Sequence, residues 1–178
     1  MIAEGRKVTF LEFMKNYGED TADIAQKNIE KLEMMGFFTA PASRGYHGAY
    51  EGGLFDHSLK VTQRLVELTK DLKLHWDMHR SPVVVGMFHD LCKCDEYRKT
   101  QDGYDHVKNT LFTGHGEKSV MLLSNLIQLT TEEIACIRYH MGAYVQNDWN
   151  GIDLAIRQYP TVLFTHTADM IASKIDNV

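Results

Sequence analysis

Apolar residues recur along most of this chain at the three-and-four spacing of a helix. From about Leu54 to Leu72, the residues Leu54, Val61, Leu65, Leu68 and Leu72 fall on one stripe with polar residues between them, the pattern of a helix with one buried face. Similar periods predict a short helix near Thr9 to Asn16 and a second from about Thr21 to Met35, stopped by Gly36. The stretch "SPVVVGMF", residues 81–88, departs from this alternation. Every side chain from Val83 to Phe88 except Gly86 is apolar, so a fully buried helix is expected from Pro82 to about Cys94, with Ser81 placed to cap it and Pro82 at its first position. "GHGEKSVMLLSNLIQL" opens another helix after Gly114. "LTTEEIACIRYHMG" predicts a capped one, with Thr130 and Glu133 spaced as a capping box and Gly142 as its stop, and "YPTVLFTHTADMIASKI" predicts the last.

The period breaks in two places. "EYRKTQDGYDHVKN" carries β-prone residues on both sides of Asp102-Gly103, which predicts a small β-hairpin near residues 96–108. "TAPASRGYHGAYEGG", residues 39–53, reads as a glycine-rich loop leading into the long helix. With no repeat, low-complexity tract or linker, the expected architecture is an all-α single domain over residues 1–178 with that one hairpin.

Composition narrows the classes. A chain of 178 residues with 44% hydrophobic and 24% charged residues is large enough to build one core. No apolar run approaches the roughly 20 residues that span a bilayer, and "MIAEGRKVTFLEF" lacks the features of a signal peptide, so a cytoplasmic location without a membrane partner is expected. A net charge of -5 argues against binding to duplex nucleic acid. Three cysteines, an odd number, predict reduced thiols. Cys92 and Cys94, two apart on an expected helix, point to different faces and are expected to pack rather than share a metal ion.

The buried run delivers His89 and Asp90 into the interior. Burying an ionised carboxylate costs several kcal/mol unless a cation, a set of hydrogen bonds or a metal ion compensates. His57, His115, His140 and Asp169 stand on other elements, and imidazole with carboxylate is the donor set that suits Zn, Mn, Fe and similar divalent ions. Ligands contributed one or two per helix are how a bundle builds a metal centre. Each residue alone also has an ordinary reading: His140 as a helix-end histidine favoured by the macrodipole, His115 as a helix-start residue, His57 as a surface histidine, Asp169 as a solvated acid.

The blocks "GGLFDHSLKV", "HDLCK", "GHGEKS", "RYHMG" and "HTADM" follow one another from about Tyr46 to Ser173. This ordered pattern resembles the HD-domain superfamily of metal-dependent phosphohydrolases, a helical fold. The resemblance implies a family-like core over residues 46–173 preceded by an N-terminal helical segment, residues 1–45. It implies His57, His89, Asp90 and Asp169 as ligands of one ion, and His115 and His140 as ligands of a second, with Asp90 bridging, as in the binuclear branch. The implied cofactors are two divalent transition ions per chain, Mn, Fe, Zn, Ni or Co, with Mg a further option. The implied reaction is hydrolysis of a phosphomonoester or phosphodiester in a nucleotide or short oligonucleotide by a metal-bound hydroxide. Lys93, one turn after Asp90, is placed to neutralise phosphate charge. Lys118, Arg138 and His166 fall inside matching blocks and are candidate substrate contacts, while His47 and His106 read as loop residues. Two alternatives use the same fold: a di-iron oxygenase with the same six ligands, and a non-catalytic ligand-binding or regulatory protein. Oligomeric state has no signature in the sequence.

Overall fold

The computed structural model describes residues 2–108, 114–144 and 148–178. Among these, eight α-helices run in the order α1 (Ile2–Tyr17), α2 (Glu19–Met35), α3 (Gly53–Asp71), α4 (Ser81–Phe88), α5 (His115–Ser124), α6 (Thr131–Arg138), α7 (Trp149–Gln158) and α8 (Thr161–Lys174). Strands β1 (Tyr97–Thr100) and β2 (Gly103–His106) form the expected small antiparallel hairpin, turning at Gln101-Asp102 with Gly103 already paired to Thr100. Asn109, the end of the segment expected to carry that hairpin, lies outside the described residues. Short 3-10 turns occupy Leu91–Asp95 and Gly142–Tyr144. No described helix is long and apolar enough to cross a membrane, and all three cysteines are free.

The stripe on α3 is realised. Leu54, Val61 and Leu65 are buried, Leu68 packs at the margin, and Leu72, just past the helix end, is 51% exposed. Gly36 ends α2 in the left-handed conformation. The helix expected near Thr9 to Asn16 begins earlier, at Ile2: Glu4 lies in its first turn, where an acid suits the macrodipole, and pairs with Lys7.

α4 is buried over its whole length and packs against α3, α6 and α8. Gly86 sits at the crossing with α3, where a Cβ would lie 2.6 Å from Thr62 Cα, so any side chain there would force the two helices apart. Two expectations for α4 are corrected. Ser81 does not cap the helix: its hydroxyl donates to buried Glu133 Oε1 at 3.1 Å, and Arg80 occupies the cap position. Nor does the helix reach Cys94. It stops at Phe88, where the His89 ring donates from Nδ1 to the Gly86 carbonyl at 2.8 Å, the acceptor that a continuing helix would offer to the Asp90 N–H.

The capping box on α6 is present, with Glu133 N–H on Thr130 Oγ1 at 3.1 Å and Thr130 N–H on Glu133 Oε2 at 2.9 Å. α6 ends at Arg138 rather than at Gly142, again beside a histidine whose Nδ1 takes a carbonyl: His140 on Ile137 O at 2.7 Å. α7 was not expected. Asp148 caps it by accepting from the Gly151 N–H at 3.2 Å, and only Ile152 and Ala155 are buried, an apolar face too narrow to announce itself in sequence.

Candidate metal centre

Four elements converge on one point. α3 carries His57, the end of α4 carries His89 and Asp90, the turn after α6 carries His140, and α8 carries Asp169. His57 Nε2 lies 3.2 Å from Asp169 Oδ1 and 3.8 Å from Asp90 Oδ2. His89 Nε2 lies 3.4 Å from Asp90 Oδ2, and His140 Nε2 lies 3.4 Å from Asp90 Oδ1. All three imidazoles and Asp90 are buried.

The three rings share one arrangement. Each has Nδ1 on a main-chain oxygen: His57 on Val178 at 2.7 Å, His89 on Gly86 at 2.8 Å, His140 on Ile137 at 2.7 Å. A carbonyl only accepts, so each Nδ1 carries the proton, and the neutral ring then presents a lone pair at Nε2. These lone pairs face carboxylate oxygens, acceptor against acceptor. His57 Nε2, His89 Nε2, His140 Nε2 and Asp90 Oδ1 are buried with no hydrogen-bond partner. Such a cluster is stable only with positive charge inside it, from protons or from a metal ion. Orienting Nδ1 by an outer acceptor while Nε2 points inward is the usual support of a metal-ligating histidine.

Ligand atoms of His57, His89 and Asp169 lie within 4.8 Å of one another, as do those of His89, Asp90 and His140, and those of Asp90, Cys92 and His115. The described residues thus hold buried histidine and aspartate clusters able to bind metal ions. Where protons rather than a metal ion supply the positive charge, burial alone would raise the Asp90 carboxyl, but Lys93 and a protonated His89 outweigh it and hold the group well below the usual carboxylate range. Burial likewise opposes ionisation of Asp169, and contacts from His57 and His89 bring it below that range too. The same field raises His89 against the effect of burial.

Lys93 is buried with Nζ 2.6 Å from Asp90 Oδ2, a pairing that raises its pKa despite burial. His115 lies at the edge of the centre, with Nδ1 3.5 Å from both Cys92 Sγ and Glu96 Oε2. His166 Nδ1 lies 2.8 Å from the His140 main-chain oxygen, and its ring lines a cavity of about 260 Å³ with His47, Asp90, Lys93, Tyr144 and Asp169 among the other walls. Lys118 and Arg138 do not line that cavity. Lys118 is 5% exposed and pairs with Asp95, and Arg138 pairs with Glu117 at 3.4 Å and Asp148 at 3.2 Å.

Three participants were not singled out from sequence. The Val178 main-chain oxygen has no residue-type signature, since any residue could supply it. His47, read as a loop residue, packs tilted against His57 with ring centroids 4.8 Å apart, and burial beside His57 and Lys93 lowers its pKa to about 4. Lys174, in the last turn of α8, also lines the cavity, and its position one turn past Met170 on the helix bearing Asp169 was the available signal.

Fold and site together define a helical protein whose interior holds a metal-capable imidazole and carboxylate centre opening on a small cavity. Over 172 residues the chain is 28% identical to the dihydroneopterin 2',3'-cyclic phosphate phosphodiesterase of Methanocaldococcus jannaschii. The match covers 94% of this chain and 63% of that protein, so the chain spans less than two thirds of the relative's length. No family model and no solved structure matches the chain.

Proposed function

We propose that the chain is a metal-dependent phosphohydrolase of the HD type acting on a small, nucleotide-like phosphodiester. The observation that carries this reading is the set of inward Nε2 lone pairs on His57, His89 and His140, fixed by main-chain acceptors and facing Asp90 and Asp169. Similarity to a phosphodiesterase supports the reaction class. His57, His89, Asp90 and Asp169 would hold one divalent ion, and Asp90, His115 and His140 a second. Bound there, such ions supply a nucleophilic water at neutral pH and positive charge for the phosphoryl oxygens.

The remaining chemistry belongs to the protein. Lys93, whose ammonium faces both Asp90 and the cavity, holds a non-bridging phosphoryl oxygen as negative charge accumulates on it. His47 and His166 both form part of the wall and position the ester against the centre. A cavity of about 260 Å³ accepts a phosphoribosyl-sized group. That favours a small phosphodiester over an oligonucleotide, and a 2',3'-cyclic phosphate of the kind named for the relative is the first compound to try.

The test is an assay of metal-stripped and metal-reloaded protein on nucleoside 2',3'-cyclic phosphates, linear phosphodiesters and phosphomonoesters. Turnover of a phosphoester should vanish on stripping and return with Mn, Fe, Co, Ni or Zn. Full turnover by stripped protein would sink the reading, as would an oxygen-consuming reaction without phosphoester hydrolysis.

A further inference from the structure

We propose that Cys92 is a metal ligand, completing with Asp90 and His115 a sulfur-containing position for a borderline-soft divalent transition ion. The inference rests on the metal-centre reading above and adds to it the identity of one donor. Two residues on an unbroken helix would place the side chains of Asp90 and Cys92 on different faces. The helix is broken at Phe88, however, and the 3-10 turn Leu91–Asp95 changes the phase. As a result a ligand atom from each of Asp90, Cys92 and His115 lies within 4.8 Å of the other two.

The sulfur is held there from two directions. α5 presents His115 and Ser119 on one face, four residues apart. Ser119 Oγ accepts from the Cys92 main-chain N–H at 3.1 Å, and His115 Nδ1 faces Cys92 Sγ at 3.5 Å. Cys92 is 1% exposed and Asp90 2%. A simple S–H···N hydrogen bond would satisfy the sulfur and the nitrogen, yet it would do nothing for the Asp90 carboxylate beside them, whose Oδ1 is buried without a hydrogen-bond partner and faces His140 Nε2 at 3.4 Å. An ion among the three donors serves all of them. On binding, the Cys92 S–H bond breaks, a metal–sulfur bond forms, and the proton leaves to solvent.

The donor set also decides which ion. A thiolate favours Zn, Co, Fe or Ni over Mg or Mn, whereas the triads without sulfur offer only nitrogen and oxygen. The two positions therefore differ in softness.

Cobalt(II) titration of the stripped full chain tests this, read by thiolate-to-cobalt charge-transfer absorption in the near ultraviolet and by elemental analysis. The wild-type protein should develop the band, and a variant with Cys94→Ser and Cys136→Ser together should keep it. Cys92→Ser should lose the band and bind the second ion more weakly by more than about tenfold, since losing a ligand exceeds losing an outer partner. Cobalt bound without the band, in the wild type alone, overturns this inference and leaves the metal centre standing, as does a band that survives Cys92→Ser. Failure to bind cobalt at all overturns both.

Discussion

Two interiors lie side by side in this protein. Phe10, Phe37, Phe38, Phe55 and Phe88 pack with centroids 5.3–6.4 Å apart, most of them edge to face, in the arrangement aromatic rings prefer. A few ångströms along the same helices, the metal-capable centre is just as dry. α3 contributes Phe55 to the first and His57 to the second, and the end of α4 contributes Phe88 and then His89. The phenylalanines leave nothing unsatisfied. The histidines and aspartates leave buried nitrogen and oxygen atoms without partners. Equal burial thus supports opposite roles: one region stabilises the fold, and the other holds a demand for positive charge, from protons or a metal ion.

The strongest way to break this comparison is Asp90→Ala. The substitution removes the carboxylate shared by two of the metal-capable triads and leaves Lys93 buried without its partner. Activity should fall to background and metal content should drop. Breaking a buried pair in this way costs about 3–5 kcal/mol. A folded variant with full metal and most of its activity would refute the assignment.

Phe37→Ala attacks the other interior. Its expected cost is about 3–5 kcal/mol of stability from lost contacts and the cavity left behind. In protein that remains folded, metal stoichiometry should not change, as measured by denaturant unfolding and elemental analysis. Loss of metal from folded Phe37→Ala would show that the two interiors are not separable.

Lys93→Ala should lower turnover by about 10²–10³, the usual loss for one electrostatic donor, with metal content retained. Lys93→Arg should recover only part of it, because a planar guanidinium does not occupy the same point. Single-turnover kinetics checks this, and an unchanged rate would remove Lys93 from the chemistry.

The smallest effect concerns acid. Asp90 and Asp169 are held below the usual carboxylate range in the folded chain, while unfolded aspartate titrates near about 3.9. In metal-stripped protein, the stability they contribute is complete above that value and is lost as pH falls below about 4 toward the folded values. Asp169→Asn should flatten this acid limb in denaturant unfolding measured at stepped pH, whereas Phe37→Ala should shift the whole curve without changing its shape. An acid limb unchanged in Asp169→Asn would place the titration elsewhere.

Local patterns were legible before the structure. The α3 stripe, the Gly36 stop, the Thr130 and Glu133 box and the small hairpin each depend on residues a few positions apart, and each formed. The ordered histidines and aspartates were legible as a series, and the fold gathers His57, His89, Asp90, His140 and Asp169 in overlapping groups while His115 stands at the edge beside Asp90 and Cys92. What failed was whatever depended on a distant partner. Ser81 looked like a cap because Glu133 could not be seen beneath it. α4 looked longer because a histidine ring, not a proline or glycine, competes for its last carbonyl. Lys118 and Arg138 looked available because Asp95 and Asp148 come from other segments.

The main-chain oxygen that orients His57 lies 121 residues further along the chain. All five phenylalanines of the aromatic cluster belong to the first 88 residues, so that interior draws its rings from one stretch of the chain. The surroundings of His57 do not. They include Asp169 on α8 and Val178 beyond it. The His57 side of the centre therefore depends on how α8 and the residues after it dock against α3. The metal-capable centre is thus closed by contacts reaching across 121 residues, and the aromatic cluster by contacts within the first 88.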